Sequence, residues 1–279
     1  MQKPSWLKIQ LPRTEEYNWM NKTIKNNNLN TICVSGRCPN AAECWSKGTA
    51  TFMILGNICT RACKFCNVKT GKPLPIDKDE PLRIAESIKI MNLKHAVVTS
   101  VDRDDLPDCG ASAWVNTILK IKELNKNTTI EVLIPDFQGK KEFIKLIIDT
   151  KPDVISHNIE TVRRLTPIIR SKAKYETSLS VLKYISESGI IAKTGIMLGL
   201  GETENEILET MDEAREVGVK IFTLGQYLQP SAKNIAVSEY ITPKKFKFFE
   251  DEGLKRGFTF VESGPLVRSS YHAEKHSIV

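Results

Sequence analysis

From about Thr51 onward the chain alternates between two patterns. Short apolar runs occur at Thr51–Leu55, Ala96–Ser100, Ile130–Ile134, Val154–His157, Lys193–Leu198 and Lys220–Leu224. Runs of that length, bounded by polar residues, predict strands with both faces covered. Between them lie longer amphipathic stretches: Pro81–Leu93, Ala111–Asn125, Lys140–Asp149, Tyr175–Ser188 and Glu204–Val217. In the first of these, Ile84, Ile88 and Met91 recur at helical spacing. Thr203 followed by Glu206 has the form of a capping box, and Gly189 and Gly218 stand where helices should stop.

Six strand–helix units in series predict an α/β fold with a parallel sheet and right-handed crossovers. A closed barrel of the common kind wants eight such units, so six fit a partial (β/α)6 TIM-like barrel. A doubly wound sheet is the competing arrangement. In either case ligands belong at the C-terminal ends of the strands. The unusual residues gather there. The first strand runs into Gly56-Asn57-Ile58-Cys59, the second into Val101-Asp102-Arg103-Asp104-Asp105 and the third into Pro135-Asp136. The fourth ends in His157-Asn158-Ile159-Glu160, the fifth in Gly199-Leu200-Gly201-Glu202 and the sixth in Gly225-Gln226-Tyr227. The expected division is an N-terminal extension at 1–50, the barrel at 51–257 and a C-terminal tail at 258–279.

Composition narrows the class. Of 279 residues, 41% are hydrophobic, enough for a substantial core and against a disordered chain. No apolar run approaches the roughly 18 residues of a membrane span. The first residues lack the apolar stretch of a secretory signal. A cytoplasmic protein is the expectation. The net charge of +7 suits an acidic partner, but no Lys/Arg block interleaved with aromatics marks a nucleic-acid groove.

Seven cysteines, an odd number, argue against a disulfide framework. Six fall between Cys33 and Cys66, and such clustering points to metal; Cys109 stands alone. The tighter group is Cys59-Thr-Arg-Ala-Cys63-Lys-Phe-Cys66. Structural zinc takes four ligands, and no fourth Cys or His lies nearby. A 4Fe–4S cluster held by three thiolates keeps one iron open. S-adenosylmethionine (SAM) can chelate such an iron through its amino and carboxylate groups, and one electron from the cluster then breaks its carbon–sulfur bond. The 5′-deoxyadenosyl radical so released takes hydrogen from unactivated carbon. At this point the sequence resembles the radical SAM superfamily.

A second group, Cys33-x4-Cys38-x5-Cys44, precedes the first strand. By itself it also suits zinc, with a remote His such as His272 as fourth ligand. Both spacings in this order, with Arg268-Ser269-Ser270-Tyr271 near the end, resemble the lipoyl synthases. The likeness runs end to end through Cys38-Pro39-Asn40, Gly48-Thr49-Ala50-Thr51-Phe52, Thr99-Ser100-Val101-Asp102-Arg103-Asp104-Asp105, Leu133-Ile134-Pro135-Asp136-Phe137, His157-Asn158-Ile159-Glu160 and Gly199-Leu200-Gly201-Glu202.

The resemblance implies two 4Fe–4S clusters and SAM. Cys59, Cys63 and Cys66 would hold the SAM-cleaving cluster. Cys33, Cys38 and Cys44 would hold an auxiliary cluster with Ser270 as its fourth ligand, the serine directly before the Tyr. An oxygen ligand matches iron less well than a thiolate and leaves more readily. The implied reaction inserts sulfur at carbons 6 and 8 of an octanoyl chain carried on a lysine, with the auxiliary cluster consumed as donor. The implied partners are octanoylated lipoyl carrier domains (acyltransferase subunits of 2-oxoacid dehydrogenases and the glycine cleavage H protein), an electron donor such as flavodoxin or ferredoxin, and an iron–sulfur carrier that rebuilds the cluster. Carrier domains are commonly acidic, which the +7 charge would complement.

Asn158, Glu160, Gly199, Gly201 and Glu202 are the candidate SAM contacts, with helix capping as the alternative for Asn158 and Glu202. Arg103, Asp104 and Asp105 read as an ion-pair network, and Arg268 as an anchor for the tail or for a substrate carbonyl. Where the family usually shows Asp-Gly-Gly-Ala, this chain has Asp108-Cys109-Gly110-Ala111. Gly adopts backbone angles that Cys does not easily share.

Overall fold

A computed structural model of the chain describes residues 2–8, 15–27, 29–35, 38, 40–46 and 49–278. Pro39 and Gly48 of the blocks quoted above lie outside the described residues. Three helices come first: α1 (Glu15–Asn26), α2 (Ile32–Ser35) and α3 (Ala41–Ser46). Then follow β1 (Thr49–Ile54), two short strands β2 (Ile58–Cys59) and β3 (Lys69–Thr70), and α4 (Glu80–Ile90). The regular alternation is β4 (His95–Ser100), α5 (Ala111–Leu124), β5 (Thr129–Leu133), α6 (Lys141–Asp149) and β6 (Val154–Ser156). It continues with α7 (Thr166–Ile169), α8 (Tyr175–Glu187), β7 (Ile191–Leu198), α9 (Glu204–Glu216), β8 (Ile221–Gln226), α10 (Pro243–Lys255) and β9 (Phe260–Gly264).

All seven strands of the main sheet are parallel, in the order β1-β4-β5-β6-β7-β8-β9. The order follows the chain without a reversal, and successive outer helices α4, α5, α6 and α8 pack on one another. A doubly wound sheet reverses its order at a switch point; this one winds in one sense, as an open, partial barrel does. The six expected strands all form, and β9 adds a seventh. It lies in the segment expected to be tail, where its short run Phe260-Val261-Glu262 gave little periodic signal.

The two faces of the strands differ in kind. Outward positions such as Phe52, Val98, Val132, Phe222 and Leu224 are buried with Ile88, Trp114 and Ile185 of the helices. Burying such side chains is the main source of stability, about 1.5–3 kcal/mol each. Inward positions alternate with them and line a cavity: Thr51 and Met53, Val97 and Thr99, Glu131 and Leu133, Gly195 and Met197, Thr223 and Gly225. This is the period of two that a pleated strand imposes.

Local chemistry fixes the elements. Thr203 and Glu206 form the full capping box at the start of α9. Gly189 and Gly218 follow α8 and α9 with φ of 83° and 88°. The N-terminal segment attaches to β1, where Thr31 bridges Phe52 and the Met53 N–H donates to the Asn30 carbonyl at 2.8 Å. At the other end, a 3-10 helix at Ala273–Ile278 packs against β4 and β5. Among the described residues no helix is long and apolar enough to cross a membrane.

Candidate active site

The cavity at the C-terminal ends of the strands measures about 330 Å³. Cys33, Cys38, Cys59, Cys63, Cys66 and Ser270 all line it. Cys44 does not, but Cys44 lies close enough to Cys38 and Cys33 to feel their charge. The first triad occupies the loop leaving β2. Its thiols receive backbone donors: the Arg61 and Asp102 N–H groups each lie 3.4 Å from Cys59 Sγ, and the Val68 N–H 3.4 Å from Cys66 Sγ.

The loop is fastened from several sides. Arg61, inside the motif, is 7% exposed and its guanidinium binds Asp136 beyond β5 at 2.7 and 2.9 Å. It also binds Asp104 beyond β4 at 2.8 and 2.9 Å, with Asp102 at 3.3 Å. The Lys64 N–H donates to the Ile169 carbonyl at 2.8 Å, and the Ala62 N–H to Ser171 Oγ at 3.0 Å. Asn234 Nδ2 donates to the Cys66 carbonyl at 2.9 Å. Asn67 Nδ2 reaches the Ser35 carbonyl at 2.8 Å, joining this loop to the helix that carries Cys33. Sequence reading overlooked Arg61, Ser171 and Asn234; only the charge of Arg61 inside a cysteine motif was visible in advance.

Electrostatics divides the acids around Arg61. Its hydrogen bonds hold the Asp104 carboxyl down to about 2. Burial opposes ionisation of Asp136, but the bonds from Arg61 outweigh it and hold this carboxyl below the usual range. For Asp102 burial prevails and the carboxyl is pushed up despite Arg61. The expected Arg103–Asp104–Asp105 network is in fact two separate pairs. Arg103 binds Asp105 at 2.9 Å, while Asp104 turns to Arg61.

The second triad lies in the N-terminal segment, and the C-terminal segment is tied to it. Arg268 to Tyr271 form a turn, with the Tyr271 N–H bonded to the Arg268 carbonyl at 2.8 Å. Ser270 faces the cavity from this turn. Its neighbour Ser269 accepts from Asn158 Nδ2 at 2.7 Å, and Tyr271 donates to Glu43, next to Cys44, at 3.3 Å. Asn40 Nδ2 binds the Leu266 carbonyl at 2.6 Å. Arg268 donates to the carbonyls of Val267 and Gln226 at 2.7 and 3.2 Å, so it anchors the tail.

The donor set fits iron–sulfur clusters. Burial raises the thiols of Cys33, Cys44, Cys59, Cys63 and Cys66; with the charge of nearby groups it carries Cys33 and Cys59 to about 11 and Cys44 and Cys66 to about 12. Buried thiols that hold their protons become ligands when a cation replaces those protons.

Asn158 and Glu160 also line the cavity. Glu160 is held in a left-handed conformation, φ 72°, with one carboxylate oxygen 3.2 Å from Asn158 Nδ2. Burial pushes its carboxyl up, against the charge of Arg170 and the bond from Asn158. Asn158 Oδ1 is buried without a hydrogen-bond partner. Backbone strain and an unsatisfied buried polar atom thus stand side by side on the cavity wall. Gly199, Gly201 and Glu202 do not join them. The Glu202 carboxylate turns back on its own loop, accepting from the Gly199 N–H and, at 2.9 Å, from the Leu200 N–H. Those three residues shape the turn between β7 and α9. Cys109 is buried off the cavity and takes a φ of 51°.

Comparison with known proteins decides the family. The sequence profile of the Radical SAM superfamily matches residues 53–214. A lipoyl synthase of Parabacteroides distasonis is 61% identical over 276 residues, 99% of this chain and 98% of that protein. One from Treponema denticola is 62% identical over 274 residues, 98% of this chain and 94% of that protein. The chain belongs to the lipoyl synthase family. It is therefore a radical SAM enzyme of the sulfur-inserting kind, and a 4Fe–4S cluster and SAM belong to its chemistry. Solved structures share the fold at low identity. Streptococcus suis SuiB with its precursor peptide SuiA matches at 13% identity and TM-score 0.63, over 93% of this chain and 55% of that one. The [FeFe]-hydrogenase maturase HydG matches at 15% identity and TM-score 0.59, over 95% and 68%.

Proposed function

We propose that this chain converts a protein-bound octanoyl-lysine to the lipoyl cofactor, inserting sulfur at carbons 6 and 8. The observation that carries the reading is the opening of Cys33, Cys38, Cys59, Cys63, Cys66 and Ser270 onto one cavity walled by apolar side chains such as Met53, Val97, Leu133 and Met197. In this reading Cys59, Cys63 and Cys66 hold the SAM-cleaving cluster. Cys33, Cys38, Cys44 and Ser270 hold an auxiliary cluster that is consumed as the sulfur-donating reactant. When bound, the first cluster and SAM supply a radical able to take hydrogen from unactivated carbon.

The chain's own residues position and shield. Asn158 offers the unsatisfied Oδ1 and Glu160 its carboxylate to the amino and ribose groups of SAM. Arg61 fixes the depth of the cysteine loop against β4 and β5. The alkyl chain of the substrate lies against the apolar wall, where its carbons are kept from water. Residues 1–50 bring the auxiliary thiols, 51–257 the barrel, and 258–279 both β9 and Ser270. Octanoylated carrier domains of 2-oxoacid dehydrogenase acyltransferases and of the glycine cleavage H protein are the proposed substrates. A flavodoxin or ferredoxin is the proposed electron source, and an iron–sulfur carrier the agent of repair.

Anaerobic reconstitution with an octanoylated carrier peptide, SAM and a reductant tests this. Mass spectrometry is expected to show a product gaining two sulfur atoms, with two 5′-deoxyadenosines released per product. Deoxyadenosine without sulfur gain would leave the radical step and remove the sulfur-insertion assignment.

A further inference from the structure

The inner face of the sheet carries a second polar group, nearer the N-terminal ends of the strands than the cysteines. Lys193 on β7 is 0% exposed, as are Glu131 on β5 and His276 in the last helix. Lys193 Nζ donates to both Glu131 oxygens at 2.8 and 2.9 Å, and its remaining contact is His276 Nδ1 at 3.1 Å. An ammonium group has three donors, so this arrangement uses all of them. His95 lies beside Glu131, with Nε2 3.9 Å from its carboxylate and Nδ1 2.8 Å from Thr129 Oγ1. The Phe260 ring lies 5.6 Å from that of His276, and Glu262 Oε1 lies 3.9 Å from His276 Nε2.

A buried ion pair is a poor device for stabilising a sheet. Desolvation of both charges offsets their attraction, and apolar residues of similar volume serve as well or better. What the pair adds is direction. Glu131 holds Lys193 so that one N–H points across the inner face, where only an acceptor at the right depth satisfies it. His276 is that acceptor, and it stands six residues after Ser270, at the far end of the segment from the bonds of Arg268 and Ser269 to the strand ends.

We propose that the Glu131–Lys193 pair is a seat for the chain's C-terminal segment, and that His276 docked in it sets the position of Ser270 at the cavity. Glu131, Lys193 and His276 are positioning residues; none of them is a ligand in this scheme. The seat itself stands on the contacts above, and its effect on the reaction rests on the reading of Ser270 as the auxiliary cluster's fourth ligand.

Hydrogen exchange of the full chain, with and without iron, tests the seat. His276→Ala is expected to speed exchange across residues 265–275 by about tenfold or more, leaving β4 and β7 unchanged, because the tail loses its bond to Lys193 while the strands keep their ladder and the Glu131–Lys193 pair. In reconstituted enzyme it should keep deoxyadenosine formation and reduce sulfur insertion. His276→Asn places an amide oxygen near the site of Nδ1 and is expected to restore both slow exchange and sulfur insertion. Unchanged tail exchange in His276→Ala, or an Asn variant no better than Ala, would overturn the proposal. Ser270→Ala separates it from the ligand reading. If the tail loosens while both His276→Ala and Ser270→Ala insert sulfur normally, the seat stands and Ser270 is no ligand. If Ser270→Ala alone loses insertion, His276 does not set the position of Ser270.

Discussion

The two cysteine groups are built in opposite ways. Cys59, Cys63 and Cys66 share one loop, and Arg61, Lys64 and Ala62 within it are tied to the ends of β4 and β5 and to the segment at Ile169–Ser171. Cys33 and Cys44 sit on separate short helices of the N-terminal segment, and the turn bearing Ser270 arrives from the far end of the chain. The bonds that bring these together, Asn40 to Leu266 and Tyr271 to Glu43, span well over two hundred residues. The first group is thus part of the barrel, whereas the second depends on two chain ends meeting. That difference suits their proposed tasks. A reusable electron source gains from a rigid frame, and a reactant that is dismantled and rebuilt gains from a frame able to open.

The sharpest break of this comparison is to remove thiols from each group in turn. Alanine at Cys59, Cys63 or Cys66 is expected to abolish deoxyadenosine formation. Alanine at Cys33, Cys38 or Cys44 is expected to spare it and abolish sulfur gain. In both cases iron should fall from about eight to about four atoms per chain, the content of one four-iron cluster. Loss of both activities from either set would show that the groups act as one site.

A smaller but still large effect is expected at Arg61. Arg61→Met leaves the buried Asp136 without its cation and Asp104 with only Lys172 at 3.5 Å, and breaking a buried pair in this way costs about 3–5 kcal/mol. Urea unfolding of the iron-free chain measures it, and iron loss should fall on the first group. The pH dependence has a definite sign. Asp104 is held down to about 2 in the folded chain. Its contribution is complete above the ordinary carboxylate value of about 3.9 and is lost as pH falls from there toward about 2. The wild-type advantage over Arg61→Met should shrink across that window, and an advantage that grows on acidification would contradict the assignment.

Much of this was legible in the sequence because it is local. Apolar runs gave six strands, Thr203 and Glu206 gave a helix start, and eight residues held a complete cysteine motif. The Arg103–Asp104–Asp105 run misled because adjacent charges need not pair with each other. Strand ends project them in different directions, and Asp104 finds Arg61 forty-three residues away. Gly199 to Glu202 show how much of a loop's work is internal. A glycine-containing turn at a strand end reads as a ligand loop, and within it Glu202 satisfies the loop's own N–H groups. The strand β9 and the His276–Lys193 contact were invisible because each is a long-range pairing with no periodic trace.

The smallest expected effect concerns the thiol that belongs to neither group. Cys109 is buried with a φ of 51°, at a position where the family resemblance leads one to expect Gly. Holding an L-residue in that region costs roughly 1–2 kcal/mol. A glycine would relieve this cost, but it would also free the unfolded chain by about 0.5–1 kcal/mol and remove a packed side chain. These terms nearly cancel, so Cys109→Gly should shift Tm by no more than about 3 °C. Iron content should not change, since Cys109 is not among the residues that line the cavity. A loss of about four irons would instead make Cys109 a ligand, and the contrast between a loop-borne site and one joined from the chain ends would have to be redrawn around a seventh thiol.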